Sequence, residues 1–167
     1  MSKAGHFNQK GNMGYLKTRF LENTLAGEKS IAAEFRMTVD GHPELTTLVR
    51  TTQYPAIGRH AVEDFGGMGL QFEQQGTFEN KGEITVSVVE TITGLALDAI
   101  RDIVKNKQSV NITIQATPES MMGLPSSAHK FRLEHCNIRC DAVDLSTEDV
   151  AALVRPNMTI VYNWFEL

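Results

Sequence analysis

The fold is decided by residues 83–116, which read EITVSVVETITGLALDAIRDIVKNKQSVNITIQA. Both ends of this stretch alternate between apolar and polar residues, and a period of two predicts half-buried strands at 83–90 and 110–116. Between them, apolar residues recur at helical spacing from about Gly94 to Lys105, and Thr93 is the predicted N-cap. The predicted buried face of this helix consists of Ala96, Leu97, Ile100, Ile103 and Val104.

Upstream of this centre, further strands are predicted. Residues 31–39 alternate, and the turn pair Asp40-Gly41 predicts a hairpin to a second strand at 45–52. The next fifteen positions, Gln53 to Gly67, contain a proline and three glycines and predict a long loop.

Strand alternation resumes at Met68, Leu70 and Phe72. We expect these apolar side chains to point toward the core and the polar residues between them to point away from it. The polar side of this predicted strand carries Gln71, Glu73 and Gln75.

Downstream, a strand is predicted from Phe131 onward, and its apolar residues change parity near Cys136, which predicts a bulge or bend. Ser146 to Val154 is ambiguous, because Ser146 and Asp149 resemble a capping box and favour a short helix, whereas Pro156 would end it soon. Met158 to Leu167 predicts a last strand that continues to the end of the sequence.

The pattern divides the sequence into two parts. Residues 1–30 are polar and glycine-rich with scattered apolar residues, which predicts an N-terminal arm. Tyr15, Phe20 and Leu21 are its candidate contacts to another subunit. Residues 31–167 are predicted to form a single domain that is mainly β with one α-helix, as a β-sandwich or barrel.

Composition excludes several classes of protein. The 167 residues carry a net charge of −4, and the longest basic cluster is Lys105 with Lys107, so a phosphate-gripping nucleic-acid protein is not expected. No stretch resembles a signal peptide or a membrane span, and two cysteines are too few for a disulfide framework. We expect a soluble protein made in a reducing cytoplasm, without a membrane partner.

Candidate catalytic and metal-binding residues are few. Cys136 and Cys140 are four positions apart on a predicted strand, roughly 13 Å at 3.3 Å per residue, so they are not expected to share a metal or a disulfide. His129 and His135 do not complete a zinc-binding pattern beside them.

Two other groups of residues also lack the context that chemistry requires. Gly66-Gly67-Met68-Gly69 lacks the lysine and the following helix of a phosphate loop. His60, Glu63 and Asp64 lie in the predicted loop with nothing to orient them. We therefore expect no enzyme activity and no cofactor.

The order of elements, with Tyr54-Pro55-Ala56-Ile57 after the first strands and Tyr162-Asn163-Trp164 at the end, resembles the tail-tube proteins of contractile-tailed phages. The resemblance covers about Leu25 to Leu167. It implies a tail-tube fold whose subunits form hexameric rings, stacked into a tube around a channel for genomic DNA. It also implies sheath, baseplate and tail-terminator partners, assembly in the host cytoplasm and a place in the virion tail.

Three alternatives stay open at this point. The tube protein of type VI secretion systems shares the fold and the ring. The second alternative is a monomeric β-barrel that binds a small ligand. The third is a small enzyme with dispersed site residues. If the tail-tube interpretation is correct, Gln71, Glu73 and Gln75 are the candidate channel-lining residues, because an acidic ring would repel the phosphate backbone of DNA. An ordinary solvated outer strand explains the same alternation.

Overall fold

A computed structural model describes residues 10–167, so the first nine residues of the predicted arm lie outside the described residues. The chain divides into two compact units, with the boundary between Ala32 and Ala33. The first unit contains a helix and the second contains every strand of the described residues.

Helix α1 (Met13–Leu25) occupies much of the predicted arm, where no helix was expected. The side chain of Asn12 accepts a hydrogen bond from the amide of Tyr15 at 3.0 Å and caps the helix. After its last turn, Gly27 adopts a positive φ of 82°, which is typical of a helix end. Gly14 lies in the first turn of α1 and Gly27 beyond its last turn, so neither glycine interrupts the helix.

The second unit is mainly β. Its elements are β1 (Phe35–Val39), β2 (Val49–Thr51), β3 (Arg59–Phe65), β4 (Gln71–Phe78), β5 (Gly82–Val88), α2 (Leu95–Lys105), β6 (Val110–Ala116), β7 (Lys130–Cys140), β8 (Asn157–Tyr162) and β9 (Trp164–Phe165). With α1, the described residues contain two α-helices rather than the one predicted.

Seven strands form one antiparallel sheet in the order β1-β6-β7-β8-β5-β2, with β9 paired to β7. The two edges of this sheet approach each other, since the hydroxyl of Thr52 lies 3.5 Å from the sulfur of Met37. The sheet is therefore barrel-like and nearly closed. Its inner side chains form the core, and Tyr162, Phe165, Met37 and Leu45 are its largest fully buried members.

Strand β7 bends at the bulge that the parity change predicted. Val110 pairs with Cys136 and Ile112 with Leu133, so β7 contains one extra residue, and His135 has a φ of 51°. The carbonyl of His135 accepts a hydrogen bond from the side chain of Asn163 at 2.7 Å. The predicted last strand is interrupted at Asn163, and β8 and β9 continue on either side of it in one register along β7.

Helix α2 matches its predicted range but not its predicted cap. Thr93 does not cap it; the carboxylate of Glu90 accepts hydrogen bonds from the amides of Ala96 and Leu97 at 3.0 and 2.7 Å. Ala96, Ala99, Ile100 and Ile103 are buried. Val104, predicted to be part of the buried face, is 54% exposed.

Two predicted elements near β1 differ from the structure. Asp40-Gly41 does not connect a hairpin, because β1 pairs with β6 and the chain continues into a 3-10 turn at Pro43–Leu45. The second predicted strand is correspondingly shorter and begins at Val49, since Pro43 favours the turn conformation.

The ambiguous segment 146–154 contains no helix. The hydroxyl of Ser146 accepts a hydrogen bond from the amide of Glu148 at 3.3 Å, which forms a local turn in place of a helix cap.

Candidate assembly surfaces

Strands β3 and β4 form a separate two-stranded antiparallel sheet, here called the β3–β4 hairpin (Arg59–Phe78). The predicted loop at 53–67 was wrong for its second half, because Arg59–Phe65 is a strand. Every residue from 59 to 75 is exposed. Neither face of this part of the hairpin is therefore buried, and no apolar alternation marks β3 in the sequence.

The apolar residues expected to anchor β4 in the core, Met68, Leu70 and Phe72, do not do so. Leu70 is 73% and Phe72 is 63% exposed, and Met68 precedes the strand in a turn with a φ of 59°. Phe72 shares one face of the hairpin with Val62, and Phe65 lies on the other face opposite Gln71, so large apolar side chains are in solvent on both faces. Groups of this kind mark interaction sites more often than ordinary surface.

The candidate channel residues Gln71, Glu73 and Gln75 lie on one face of β4. Across the hairpin Glu73 pairs directly with Glu63, so two carboxylates share this face. Like charges placed opposite each other destabilise a strand pair, and this arrangement has no packing gain to offset the repulsion. The sequence pattern placed Gln71, Glu73 and Gln75 on one face of a strand, as the structure does, but it did not predict that Glu63 lies on the same face.

The hairpin depends on one glycine. A Cβ at Gly76 would lie 2.8 Å from the carbonyl oxygen of His60 and 2.7 Å from a methyl group of Val62. The register of the two strands shifts between Arg59 and Ala61, opposite this position. Gly76 therefore permits a close backbone approach that no side chain would allow.

The candidate contact residues of the arm lie on α1. Tyr15 is 60%, Phe20 60% and Leu21 47% exposed, and no residue of α1 is buried. The ammonium group of Lys17 lies 5.1 Å from the ring centre of Phe20 and covers part of it. Helix α1 thus presents apolar groups with no buried face of its own.

The two segments that carried the resemblance meet in the second unit. Burial raises the pKa of the Tyr162 hydroxyl, and a hydrogen bond with the backbone of Ala56 opposes that rise. Tyr54 packs on Phe131 with ring centres 4.9 Å apart. Tyr162 and Phe165 pack edge to face at 5.5 Å. The hydrogen bond between Ala56 and Tyr162 joins the 54–57 segment to the last strands, and the Tyr54 ring packs on β7.

The candidate chemical residues do not converge. His60, Glu63 and Asp64 lie along β3, where successive side chains alternate between faces. Burial raises the pKa of Cys136 from its ordinary value of 9.0 to about 12, and that of Cys140 is also raised by burial. Within residues 10–167, no group of three or more His, Cys, Asp or Glu side chains could hold a metal ion.

Neither α1 nor α2 is both long and apolar enough to cross a membrane.

No family model and no curated protein matches this sequence. Solved structures do match. A chain from the extended sheath–tube complex of the extracellular contractile injection system PVC aligns with a TM-score of 0.60 and 12% identity, over 87% of this chain and 95% of that one.

Two further structures give similar agreement. A chain from the structure of the PVC sheath/tube terminator in the extended state aligns with a TM-score of 0.63 and 14% identity, over 84% of this chain and 96% of that one. A chain of the six-fold symmetrised baseplate of the anti-feeding prophage aligns at 0.58 and 9%, over 84% and 95%. Such low identities establish a common fold and nothing finer. The chain has the tail-tube type of fold, which it shares with components of contractile injection systems.

Proposed function

We propose that this chain is a structural subunit of the tail tube of a contractile-tailed phage and has no enzyme activity. Its subunits form hexameric rings that stack around a channel, through which genomic DNA passes during ejection without specific binding. The observation that carries the proposal is the β3–β4 hairpin, which exposes both faces on a chain with the tail-tube fold.

An isolated two-stranded hairpin is marginally stable in water, and a third strand or a packed face is needed to hold it. Phe72, on the face opposite Glu73, is 63% exposed and Leu70 is 73% exposed, so packing against a neighbouring copy would remove a large apolar area from water. Closure of a ring also pairs strand edges that would otherwise template aggregation. The hairpin therefore gains its stability in the assembly.

Helix α1 supports assembly in a similar way. Tyr15, Phe20 and Leu21 are exposed on a helix with no buried residue, as expected of an arm that contacts another subunit. Residues 1–30 thus serve as an assembly arm and residues 31–167 as the tube domain.

The face with Glu63 and Glu73 faces the channel in this proposal. Repeated around a hexameric ring, the two carboxylates form a band of negative potential that repels phosphate groups and lets DNA slide. Gln71 and Gln75 lie on the same face without adding cations, and the exposed ring of Phe65, which pairs with Gln71, lies there too.

The partners follow from the assemblies in which the similar folds occur. PVC is described as a sheath–tube complex with a sheath/tube terminator, and the anti-feeding prophage has a six-fold symmetrised baseplate. We propose that this tube likewise contacts a sheath, a baseplate and a terminator, that it is assembled in the host cytoplasm and that it is part of the virion tail.

Assembly is tested first with the purified full chain. Sedimentation velocity and negative-stain microscopy over a range of concentration and salt should show hexamers, rings or tubes. A monodisperse monomer at high micromolar concentration under several salts would contradict the proposal and favour a monomeric barrel.

The channel assignment is tested with Glu73→Lys, since a basic ring should retain DNA. Tubes of this variant should co-sediment with short double-stranded DNA at low salt, while wild-type tubes leave the DNA in the supernatant. Asp64→Lys, which makes the same change of charge on the opposite face of the hairpin, is the matched control. Equal DNA retention by the two variants, or none by either, would remove Glu73 from the channel without affecting the tube assignment.

A tube in a device that does not carry a genome is a second candidate, favoured because the similar structures belong to injection systems. A type VI secretion tube belongs to the same class. Both candidates predict rings. They are distinguished by tubes isolated from the producing cell, which should contain DNA and have a phage head attached in the first case and have neither in the second.

A further inference from the structure

An apolar groove of about 540 Å³ lies between α2 and β7. Its floor is formed by Ile100 and Ile138, which are buried, and its walls include Leu97, Val104 and Cys140. Val104 is the residue of the predicted buried helix face that the sheet leaves exposed. The apolar face of α2 is therefore wider than the part of it that packs against the core, because its remaining apolar residues line the groove.

Three cations surround the groove. Arg101 and Lys105 come from α2 and Arg139 from β7, and all three are exposed. None of them forms an ion pair with another residue of the part of the chain that the structure describes. An apolar floor with an uncompensated basic rim is complementary to a segment that combines apolar and acidic side chains.

The chain contains such a segment. Residues 141–154, here called the acidic segment, read DAVDLSTEDVAALV and contain four acidic residues and no lysine or arginine. Leu145, Val150 and Leu153 are 79, 96 and 64% exposed. The segment lies between β7 and β8 and contains neither a helix nor a strand. These three apolar side chains therefore lack a packing surface within the chain.

We propose that the acidic segment of one copy binds the groove between α2 and β7 of a second copy. Within one chain the groove is open and the apolar residues of the segment are exposed, so the segment does not cover the groove of its own chain. The contact joins two different surfaces of the two copies, so it is head to tail. Head-to-tail contacts generate closed rings when the rotations between successive copies add up to a full turn. The inference rests on the proposed ring assembly and identifies one of its interfaces.

Charge reversal tests the contact with complementary variants. The groove variant is Arg101→Glu with Lys105→Glu, and the acidic-segment variant is Asp144→Lys with Glu148→Lys. Each alone places like charges on both sides of the contact and should weaken self-association at least tenfold in sedimentation velocity. Lys81→Glu with Lys130→Glu, which changes net charge as the groove variant does at exposed positions outside the groove, should associate as wild type does.

Mixing gives the decisive result. In a 1:1 mixture of the groove variant and the acidic-segment variant, each contact between unlike chains joins opposite charges again, so association should recover. The chain that carries all four substitutions should also recover. Circular dichroism and thermal melts of every variant establish that each one is folded.

The outcomes separate the inference from the proposed function. If wild type assembles and both variants assemble equally well, the tube proposal stands and this interface is wrong. If the four-substitution chain recovers but the mixture does not, the acidic segment covers its own groove and the inference is overturned. If wild type does not assemble under any condition, the proposed function itself fails.

Discussion

Strands β6 and β3 are both seven residues long, and their environments are opposite. Every second residue of β6, from Val110 to Ala116, is buried against the core, whereas all residues of β3 are exposed. The sequence of β6 alternates and predicts a strand, while that of β3 does not. The comparison shows that a period of two is the signature of one packed face, and that a strand with no face buried within the chain lacks it.

The largest expected effect comes from placing an aspartate in each region. Ile100→Asp buries a charge at a position that is 3% exposed and should prevent folding, whereas Ile100→Ala should cost about 2–5 kcal/mol of unfolding free energy. Phe72→Asp, at an exposed hairpin position, should change that free energy by no more than about 0.5 kcal/mol yet abolish assembly.

Chemical denaturation and sedimentation measure the two effects separately. Val104→Asp is the control on α2, because Val104 is exposed and its replacement should leave the fold intact. A folded Ile100→Asp chain as stable as wild type would contradict the packing of α2 on the sheet. Normal tubes from Phe72→Asp would show that the hairpin does not contact a neighbour.

The second test breaks the hairpin without adding charge. Gly76→Val would bring a side chain against the backbone of His60, so the two strands should separate. The seven-stranded sheet should lose less than about 1 kcal/mol, since the hairpin does not contribute to its core. Limited proteolysis should then cleave within 59–78 faster in Gly76→Val than in the control Gln74→Val. Equal cleavage of the two variants would rule out the close approach at Gly76.

The third test removes most of the arm. A chain that lacks residues 1–24 should keep the melting temperature of the sheet, because no residue of α1 is buried, but should form shorter or fewer tubes. Calorimetry and electron microscopy measure the two properties. Loss of folding would show that the arm belongs to the core, and unchanged tube length would show that it makes no contact between subunits.

The smallest effect concerns the two cysteines of β7, of which Cys136 is fully buried in the core and Cys140 is partly buried. Burial raises the pKa of Cys136 to about 12, so at pH 8 its thiol is protonated and should not react with iodoacetamide until the chain is unfolded. Cys140, which is only partly buried, should react faster than Cys136 and more slowly than free cysteine, since burial raises its pKa too.

The same shift predicts a pH dependence of stability. The folded chain holds the Cys136 proton more tightly than the unfolded chain, whose thiol has its ordinary pKa of 9.0. The stabilisation is therefore fully present below pH 9 and is lost as the pH rises from 9 toward 12. Equal alkylation rates of Cys136 in the folded and unfolded chain at pH 8 would contradict this burial.

Elements with one packed face were predictable. The alternation at Val110–Ala116, the helix at Leu95–Lys105 and the bulge near His135 agree with the structure, because burial on one side imposes a period on the sequence. The cap of α2 was not predictable from Thr93, since Glu90 caps the helix from the preceding strand end.

The candidate sites show the same division. Gln71, Glu73 and Gln75 were located on one strand face, but their neighbour Glu63 became visible only when β3 was paired with β4. The groove at Ile138 and Val104 joins residues that are distant in sequence, so no local pattern could reveal it.

Hydrophobic period and composition are local properties, so they were sufficient to predict a mainly β protein with an amphipathic helix, no concentrated positive charge and no catalytic motif. The pairing of the strands, the near closure of the sheet, and the exposed hairpin and basic-rimmed groove are visible only in the three-dimensional fold. Those features depend on which distant segments meet. Contacts of that kind have no period that a linear sequence can display.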